Sequence, residues 1–404
     1  MHPGWTAVIV NYNGTGYLEA CLYALSRTRV RPHDVIVVDN ASTDDSLQEL
    51  HGFPRVNVLP QPNNLGFAGG ANVGLAAVET EFAMLLNPDV EVAGDFGDAL
   101  LSSFASDPRI GALGALLHYP DGKTIQHAGG AIDRPLMTTR HLGYGSTDID
   151  AFSTPAAVQF VTGGAMGLRL EAFRAVGGFD EQFSPVYYED VDLCLRLRDA
   201  GWSVRVDPRL RALHHEGVTL QQSQSYFRHL HRNRLRFAVK HLSGDEWRDE
   251  FVPAEYARLR HELWTLDGDD WAERSGASAL EAVMRGPTAP TQWHTAPVFP
   301  GPPPNVLASH LNSLRDLWDI RAEPRRSRFH WVARIQNWVN AGGQQSIVTE
   351  AFVNQRAFNA AVVRALEVQD QHNREQTASL FLIALDAIGR LRQIESETAD
   401  SQAG

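Results

Sequence analysis

Segments with strand-like and helix-like patterns alternate through residues 1–120, and this alternation restricts the fold more than any other feature of the sequence. Regular alternation of this kind predicts an α/β domain built on a largely parallel sheet. The expected strands are residues 6–10, 35–39, 56–59, 82–86 and 110–116. The expected helices between them are residues 17–26, 44–50, 68–78 and 96–104.

Three of the expected strands end in polar clusters. Because ligands of open parallel sheets bind outside the carboxyl ends of the strands, these clusters predict a binding site at that edge. The clusters are Asn11-Tyr12-Asn13-Gly14, Asp39-Asn40-Ala41-Ser42 and Asn87-Pro88-Asp89.

The pattern is less regular over residues 118–160, which give no assignment. Further along the chain we expect strands at 158–161 and 203–206, and helices at 170–176, 189–200 and 223–241. The glycine-rich run at residues 66–74 predicts a close approach of the backbone to a ligand or another helix, since glycine destabilises a helix interior.

Composition and charge exclude several classes of protein. The formal net charge of −12 argues against nucleic acid as a partner. Cys21 and Cys194 form no CxxC motif, which favours a reducing compartment without a structural zinc site. The N-terminus lacks the basic segment of a signal peptide, and the longest later apolar run, 378–385, is too short to span a bilayer. We therefore expect a cytoplasmic protein.

A proline-rich stretch at residues 286–304 predicts a stiff linker between domains. The expected organisation is a domain over 1–240, a helical extension over 241–285, this linker and a helical region over 305–404. Apolar positions recur at helical spacing in the last region, so its helices either pack on the body or form a homo-oligomer.

A basic and aromatic patch lies within the last region. It suits peripheral contact with the inner face of a membrane, but a solvated helix face is the favoured alternative. The patch consists of Arg325, Arg326, Arg328, Phe329, Trp331, Val332 and Arg334.

Two acidic residues at strand ends each have two interpretations. Asp39 suits either a helix cap or an acceptor for hydrogen bonds from a nucleobase or ribose, and taken alone the cap is favoured. Asn87-Pro88-Asp89 suits either a turn or a site for a divalent cation that also binds phosphate oxygens.

Glu189 and Asp190 begin an expected helix, directly after Tyr187 and Tyr188. Acidic residues in a first turn are stabilised by the helix dipole, which is the structural interpretation. Two adjacent acids at a helix start also suit the presentation of a general base. His214 closes a strand, where it is either a structural residue or a metal ligand.

The order of the motifs is more specific than any one of them. It resembles the family 2 glycosyltransferases with the GT-A fold, and in particular their bacterial rhamnosyltransferase-like branch. The resemblance covers about residues 5–240. Besides the three strand-end clusters, the motifs are Asn64-x-Gly-Phe-Ala-Gly-Gly-x-Asn72, Thr162-Gly163-Gly164-Ala165, Gly177-Gly178-Phe179-Asp180-Glu181, Glu189-Asp190-Val191-Asp192-Leu193 and His214-x-x-Gly217-x-Thr219.

The resemblance implies inverting transfer of a sugar from a nucleoside-diphosphate donor to a saccharide or lipid-linked acceptor in cell-surface polysaccharide biosynthesis. Rhamnose from dTDP-rhamnose is the best expectation. Asp190 is then the general base, with Glu189 beside it orienting the acceptor or water. The implied donor-binding residues are Asn11, Asn13, Asp39, Asn40, Asn64, Gly66, Asn72, Asn87, Asp89, Thr162, Gly163 and Gly164.

Asp89 and His214 are the implied ligands of a divalent metal, Mg²⁺ or Mn²⁺. The chain departs from the family at Asn87, a neutral amide where many members carry an acid. With one carboxylate fewer, we expect the metal to bind mainly together with the donor diphosphate.

Three other functions fit the sequence less well. A non-catalytic sugar-nucleotide-binding or scaffolding protein of the same fold is the alternative, but the filled base and metal positions argue against it. A nucleotidyltransferase should carry basic residues after the first strand, where this chain has Asn11-Tyr12-Asn13-Gly14. An NAD-dependent oxidoreductase should carry G-x-G-x-x-G there, which is also absent.

Overall fold

A computed structural model describes residues 2–215, 224–255 and 257–258. The chain divides into two compact units, Met1–Gln221 and Gln222–Gly404. Residue 240, the expected end of the first domain, lies within the second unit. The expected linker at 286–304 and the helical region at 305–404 lie outside the described residues, as do most of residues 241–285.

The first unit contains a ten-stranded sheet and a separate two-stranded hairpin. The strands are β1 (His2–Asn11), β2 (Val35–Asp39), β3 (Val56–Pro60), β4 (Thr80–Leu86), β5 (Val90–Val92), β6 (Ile110–His118), β7 (Ile125–His127), β8 (Gly130–Asp133), β9 (Thr138–His141), β10 (Ala156–Ala157), β11 (Ala165–Arg169) and β12 (Ser203–His214). The helices are α1 (Leu18–Ser26), α2 (Gly66–Ala76), α3 (Phe96–Ser106), α4 (Leu170–Ala175) and α5 (Glu189–Asp199). Short 3-10 turns cover Ser46–Gly52, Asp150–Phe152 and Glu181–Phe183.

The large sheet is mixed but mostly parallel. Its main order is β10-β12-β6-β11-β4-β1-β2-β3, with β5 paired to β12 and β7 paired to β6. The strands β1, β2, β3, β4, β6 and β12 run in one direction, and β5, β7, β10 and β11 run in the other. This α/β architecture confirms the expected fold class.

The central strands of the sheet are buried on both faces, as in a parallel sheet covered by helices, whereas the edge strands β3 and β10 are partly exposed. Every residue of β6 is buried, and α1 buries Leu18, Leu22 and Leu25 against the core. The glycine-rich run lies in α2, where it permits close packing on β1 and β2. A Cβ at Gly70 would lie 2.8 Å from Val10 Cγ1. The close approach that the glycines predict is therefore an approach to the sheet.

Two expectations about local structure are wrong. Residues 158–161 form no strand apart from an isolated bridge between Phe160 and Gly130, and the strand in this region is β11. β11 was missed because Gly167 lies at its centre, and glycine is uncommon in strands. The glycine is needed there, since a Cβ would lie 2.9 Å from Leu100 Cδ1. The expected helix at 44–50 is instead the 3-10 turn Ser46–Gly52.

The described part of the second unit contains α6 (Gln224–His241) and a π-helical turn at Glu246–Phe251. Glu255 is fully buried and forms ion pairs with Arg234 and Arg258. Although burial opposes it, the two guanidinium groups lower the pKa of Glu255. The described ranges of the chain include no helix that combines the length and apolar character needed to cross a bilayer.

Candidate active site

The polar clusters predicted from the sequence meet at the carboxyl edge of the parallel strands. Asn11 and Asp39 are register partners at the ends of β1 and β2. Asn87 follows β4, and its backbone N–H donates to Gly164 O at 2.9 Å, just before antiparallel β11 begins. His214 ends β12 at the same edge.

The amide of Asn11 organises the first group of side chains. Its Nδ2 lies 2.9 Å from Ser46 Oγ, 3.1 Å from Ser42 Oγ and 3.4 Å from Asp39 Oδ1. Ser42 N also donates to Asp39 Oδ1 at 3.4 Å, a turn-forming bond of the kind the capping interpretation describes. Asn11 Oδ1 is buried without a hydrogen-bond partner among the described residues. Asn13 Oδ1 accepts from Thr43 N at 2.8 Å.

Asn40 and Asn64 fix the loop that enters α2. Asn40 Nδ2 donates to Gly66 O at 3.0 Å and to Asn64 Oδ1 at 3.1 Å, and Asn40 Oδ1 accepts from Leu65 N at 2.9 Å. These bonds satisfy the buried Asn40 amide within the protein. Direct contact of Asn40 or Asn64 with a donor therefore stays a prediction, while their positioning of the loop is observed.

Asn72 links α2 to the loop at residues 177–181. Its Nδ2 donates to Phe179 O and its Oδ1 accepts from Phe179 N, both at 2.9 Å. The amide thus replaces a missing backbone partner for Phe179, as buried peptide groups require. A donor contact by Asn72 also stays a prediction.

Gly66, Phe67 and Gly163 bring three segments together. Gly66 has φ of 74°, a left-handed conformation that favours glycine, and Phe67 N donates to Pro185 O at 2.8 Å. A Cβ at Gly163 would lie 2.7 Å from Phe67 Cε1. A larger residue at 163 would push apart the start of α2 and the loop at residues 162–164.

Asp89 and His214 form the second group. Asp89 Oδ1 lies 3.2 Å from His214 Nε2, and Asn87 Nδ2 lies 3.5 Å from the same nitrogen. A Cβ at Gly164 would lie 3.4 Å from His214 Cε1, so the backbone there stays close to the imidazole. On the other side of the ring, Gln126 Oε1 lies 2.6 Å from His214 Nδ1.

The residues of this group fit a divalent cation with incomplete protein coordination. Adjacent ligands on octahedral Mg²⁺ lie about 3 Å apart, close to the 3.2 Å between Asp89 Oδ1 and His214 Nε2. The described residues contain no group of three or more His, Cys, Asp or Glu side chains able to hold a metal. Within the described ranges, water or a bound phosphate group would complete the coordination of a cation held by Asp89 and His214.

Asp190 forms the third group together with the loop before β11. Gly163 N donates to Asp190 Oδ2 at 2.9 Å, and Val191 N donates to Asp190 Oδ1 at 2.8 Å. Burial raises the pKa of Asp190, although both hydrogen bonds oppose the shift. Thr162, the preceding residue of the loop, donates its backbone N–H to His127 Nε2 at 3.4 Å.

Glu189 differs from its neighbour in environment. It is 6% exposed, and its Oε2 is buried with no hydrogen-bond partner in the part of the chain that the structure describes. Burial, and then the negative charge of Asp190, raise the pKa of Glu189 well above its usual range. Protonation is therefore favoured more strongly at Glu189 than at Asp190.

The backbone before these acids is strained. Tyr187 and Tyr188 have φ of 80° and 71°, a left-handed conformation that costs non-glycine residues about 1–3 kcal/mol each. Tyr188 Oη donates to Met137 O at 2.9 Å, and this hydrogen bond holds Tyr188 in place. Strain of this kind concentrates at functional sites, where it fixes the direction of neighbouring side chains.

Two histidines that the sequence analysis did not select lie beside this group. His127 is 1% exposed, and its Nδ1 lies 2.9 Å from His141 Nδ1. Because Thr162 N donates to His127 Nε2, the proton of His127 is on Nδ1 and points to His141. Burial lowers the pKa of His127 well below its usual value.

Gln126 and His127 were missed because they lie in the segment without a periodic pattern. Their strand, β7, has only three residues and reaches the site by pairing with the end of β6. The signal available in the sequence was a pair of adjacent polar residues flanked by the apolar residues Ile125 and Ala128. In the structure, Gln126 and His127 are both buried.

The chain is similar in sequence to known glycosyltransferases. The family model "Glycosyl transferase family 2" matches residues 6–177. N-acetylglucosaminyl-diphospho-decaprenol L-rhamnosyltransferase of Mycobacterium tuberculosis is 32% identical over 286 residues, which cover 65% of this chain and 88% of the relative. Rhamnosyltransferase WbbL of Escherichia coli is 26% identical over 249 residues, which cover 58% of this chain and 91% of the relative.

Among solved structures, GalNAc-T7 with UDP, GalNAc and Mn²⁺ matches at 18% identity with a TM-score of 0.49, covering 68% of this chain and 53% of that one. The family match and the extent of the mycobacterial relative decide the class of protein. The chain belongs to glycosyl transferase family 2. Its relatives include rhamnosyltransferases, which supports glycosyl transfer as its general activity.

Proposed function

We propose that this chain transfers a sugar, with inversion at the anomeric carbon, from a nucleoside-diphosphate donor to a hydroxyl group of a saccharide or lipid-linked acceptor in cell-surface polysaccharide biosynthesis. The observation that carries the proposal is the position of the Gly163-Gly164 segment. Gly163 donates to Asp190, whereas Gly164 lies against His214 and pairs with Asn87. The proposed general base, Asp190, and the proposed cation ligand, His214, thus both lie against this two-residue segment.

Asp190 acts as the general base in this proposal. It accepts the proton of the acceptor hydroxyl while the hydroxyl oxygen forms a bond to the anomeric carbon. The bond between that carbon and the donor phosphate oxygen breaks, and its electron pair leaves with the diphosphate. Burial makes the Asp190 carboxylate more basic, and the two backbone hydrogen bonds fix its orientation.

Asp89 and His214 would hold Mg²⁺ or Mn²⁺ beside the donor diphosphate. When bound, the cation neutralises negative charge on the phosphate oxygens. Asn87 contributes no charge, so the pair binds a cation weakly without the donor. The protein residues therefore favour a cation that arrives with the nucleotide.

Glu189 contributes by staying neutral. Two ionised carboxylates side by side would raise the cost of ionising Asp190. Because burial keeps the proton on Glu189, a single negative charge remains at the base. We propose that this neutral acid orients the start of α5 and, through it, the acceptor.

The nucleotide occupies the edge formed by β1 and β2. Asp39 and Asn11 form hydrogen bonds with the base or ribose there, and Asn13 lies beside them. Asn40, Asn64, Gly66 and Asn72 shape this surface, and the backbone of residues 162–164 approaches the diphosphate and sugar. Rhamnose from dTDP-rhamnose is the proposed donor, supported by the names of the mycobacterial and Escherichia coli relatives.

A donor screen tests this proposal. The chain is incubated with dTDP-rhamnose and with UDP- and GDP-sugars, and release of nucleoside diphosphate is measured with Mg²⁺ or Mn²⁺ present. We expect turnover with dTDP-rhamnose and, by NMR, inverted anomeric configuration in the product. A donor at 100 times its Kd should also stabilise the fold by about 2.7 kcal/mol. Stabilisation without any turnover would instead favour the non-catalytic alternative.

A further inference from the structure

We infer that Gln126 is a positioning residue that fixes the tautomer of His214, so that the unprotonated Nε2 faces Asp89. The inference rests on the metal role proposed for Asp89 and His214. It concerns a residue of β7 that neither the sequence motifs nor the proposed mechanism includes.

The hydrogen bond between the two side chains determines where the imidazole proton lies. Gln126 Oε1 is 2.6 Å from His214 Nδ1, and a carbonyl oxygen only accepts hydrogen bonds. Nδ1 must therefore carry the proton. In neutral histidine the other ring nitrogen then has a lone pair and no hydrogen, as a metal ligand requires.

The opposite side of the ring agrees with this assignment. Asn87 Nδ2 lies 3.5 Å from His214 Nε2, and an amide nitrogen is a donor. A donor beside Nε2 is compatible with a lone pair there and incompatible with a second proton.

Asp89 opposes the same arrangement. Its carboxylate oxygen lies 3.2 Å from His214 Nε2 and would accept a proton placed on that nitrogen. Without Gln126, the imidazole would place its proton on Nε2 and donate it to Asp89. The lone pair would then be on Nδ1, on the side of the ring away from Asp89.

Gln126 is suited to this role because it is held rigidly. It is 4% exposed and lies in β7, whose neighbours Ile125 and His127 pair with His118 and Leu117 of β6. β12 pairs with the same end of β6, through Leu213 and His118. The sheet therefore sets the distance between Gln126 and His214. Such outer partners typically change metal affinity 10–100-fold when removed.

The test compares Gln126→Met, which removes the acceptor at similar length, with Gln126→Glu, which retains an oxygen acceptor. A matched control is Gln159→Met, because Gln159 also accepts a hydrogen bond in this unit, from Ile132 N. Gln126→Leu serves as a second apolar variant if Gln126→Met does not fold. The first readout is the ¹⁵N NMR spectrum of the His214 imidazole in metal-free protein. The second is Mn²⁺ binding in the presence of dTDP, followed by electron paramagnetic resonance.

We expect the wild type, Gln126→Glu and Gln159→Met to show the Nδ1–H tautomer. Gln126→Met should shift to Nε2–H and lose about 10–100-fold in Mn²⁺ affinity. An unchanged tautomer and affinity in Gln126→Met, with Mn²⁺ bound by the wild type, would overturn the inference alone. Failure of the wild type to bind Mn²⁺ with dTDP, or equal binding by Asp89→Ala, would overturn the metal role and the inference with it.

Discussion

Adjacent carboxyl groups with different surroundings dominate the chemistry of this site at the scale of single residues. Asp190 accepts two backbone hydrogen bonds, whereas Glu189 Oε2 is buried and has no hydrogen-bond partner among the residues described. The pKa of each is raised by burial, but only that of Glu189 is raised well above its usual range. The two backbone hydrogen bonds oppose the effect of burial at Asp190, so the proton is favoured more strongly on Glu189.

The raised pKa of Glu189 predicts a specific dependence of stability on pH. A carboxyl whose pKa is higher in the folded than in the unfolded state contributes stability below the unfolded pKa and loses it as the pH rises through the folded pKa. Glu189→Gln stays neutral and should avoid this loss, so its advantage over the wild type should grow from acidic to mildly alkaline pH. Urea unfolding across that range measures the effect. Equal pH dependence in the wild type, Glu189→Gln and the exposed control Glu171→Gln would contradict the prediction.

Removal of Asp89 should weaken donor binding only when a cation is present. Asp89→Ala is expected to reduce dTDP-rhamnose affinity with Mg²⁺ or Mn²⁺ and to matter less in EDTA, because its charge acts through the cation. His214→Ala should have a similar but milder effect. Titration calorimetry measures both.

The neighbouring Glu91 and His215 provide a control, since they form a pair of similar chemistry at 2.7 Å. Glu91→Ala should leave the metal dependence unchanged. Wild-type donor affinity in Asp89→Ala and His214→Ala, with metal present, would exclude a bridging cation.

At the scale of secondary structure, the sequence predicts the parallel half of the sheet well. The strand at residues 35–39 is confirmed at both ends, and α2 and α5 begin within two residues of their expected starts. The apolar residues of these elements are buried in the core, and their spacing in the sequence therefore shows the type of each element. β7 and β11 were not predicted, since three residues are too few for a period and β11 has a glycine at its centre.

The site was predicted to a similar extent. The motif order indicated that Asp89 and His214 lie together, and they are 3.2 Å apart. Gln126, His127 and His141 were missed because their relation to the site depends on β7 and the β8–β9 hairpin. Pairing between distant strands of this kind leaves no local pattern in the sequence.

Packing of Gly163 against Phe67 yields a prediction about the loop before β11. Gly163→Ala should lower the free energy of unfolding by about 1–3 kcal/mol, because the added Cβ would approach Phe67 Cε1 and Cζ within 2.7 and 2.9 Å. It should also reduce transfer, since Gly163 N orients Asp190. Gly52→Ala is a control with open space around the added Cβ.

Partial rescue of both stability and transfer by Phe67→Leu in the Gly163→Ala background would support the steric explanation. Normal transfer in Gly163→Ala would contradict the expectation that the added Cβ displaces the backbone that orients Asp190.

At the scale of the whole molecule, every residue proposed to act in catalysis lies in the first unit, Met1–Gln221. The proline-rich stretch at 286–304 predicts that few contacts cross to the C-terminal region. Truncation after Pro304 should therefore leave a soluble protein that binds the nucleotide-sugar but has a changed oligomeric state. Light scattering on the full-length and truncated chains measures the change.

A monomer in both forms would contradict oligomerisation through the C-terminal helices. An insoluble truncated chain would favour packing of those helices on the body. Peripheral contact with a membrane through the basic and aromatic patch stays a prediction, which vesicle binding by the same two forms would address.

The central claim is that Asp190 removes the proton of the acceptor hydroxyl, and one substitution tests it most directly. Asp190→Asn keeps the shape of the side chain but removes its basicity. Initial rates of sugar transfer are measured beside thermal stabilisation by the donor, with Asp199→Asn on the exposed side of the same helix as the control. We predict that Asp190→Asn lowers the transfer rate by about 10²–10⁴-fold while stabilisation by the donor persists. Transfer at nearly the wild-type rate in Asp190→Asn would contradict the account.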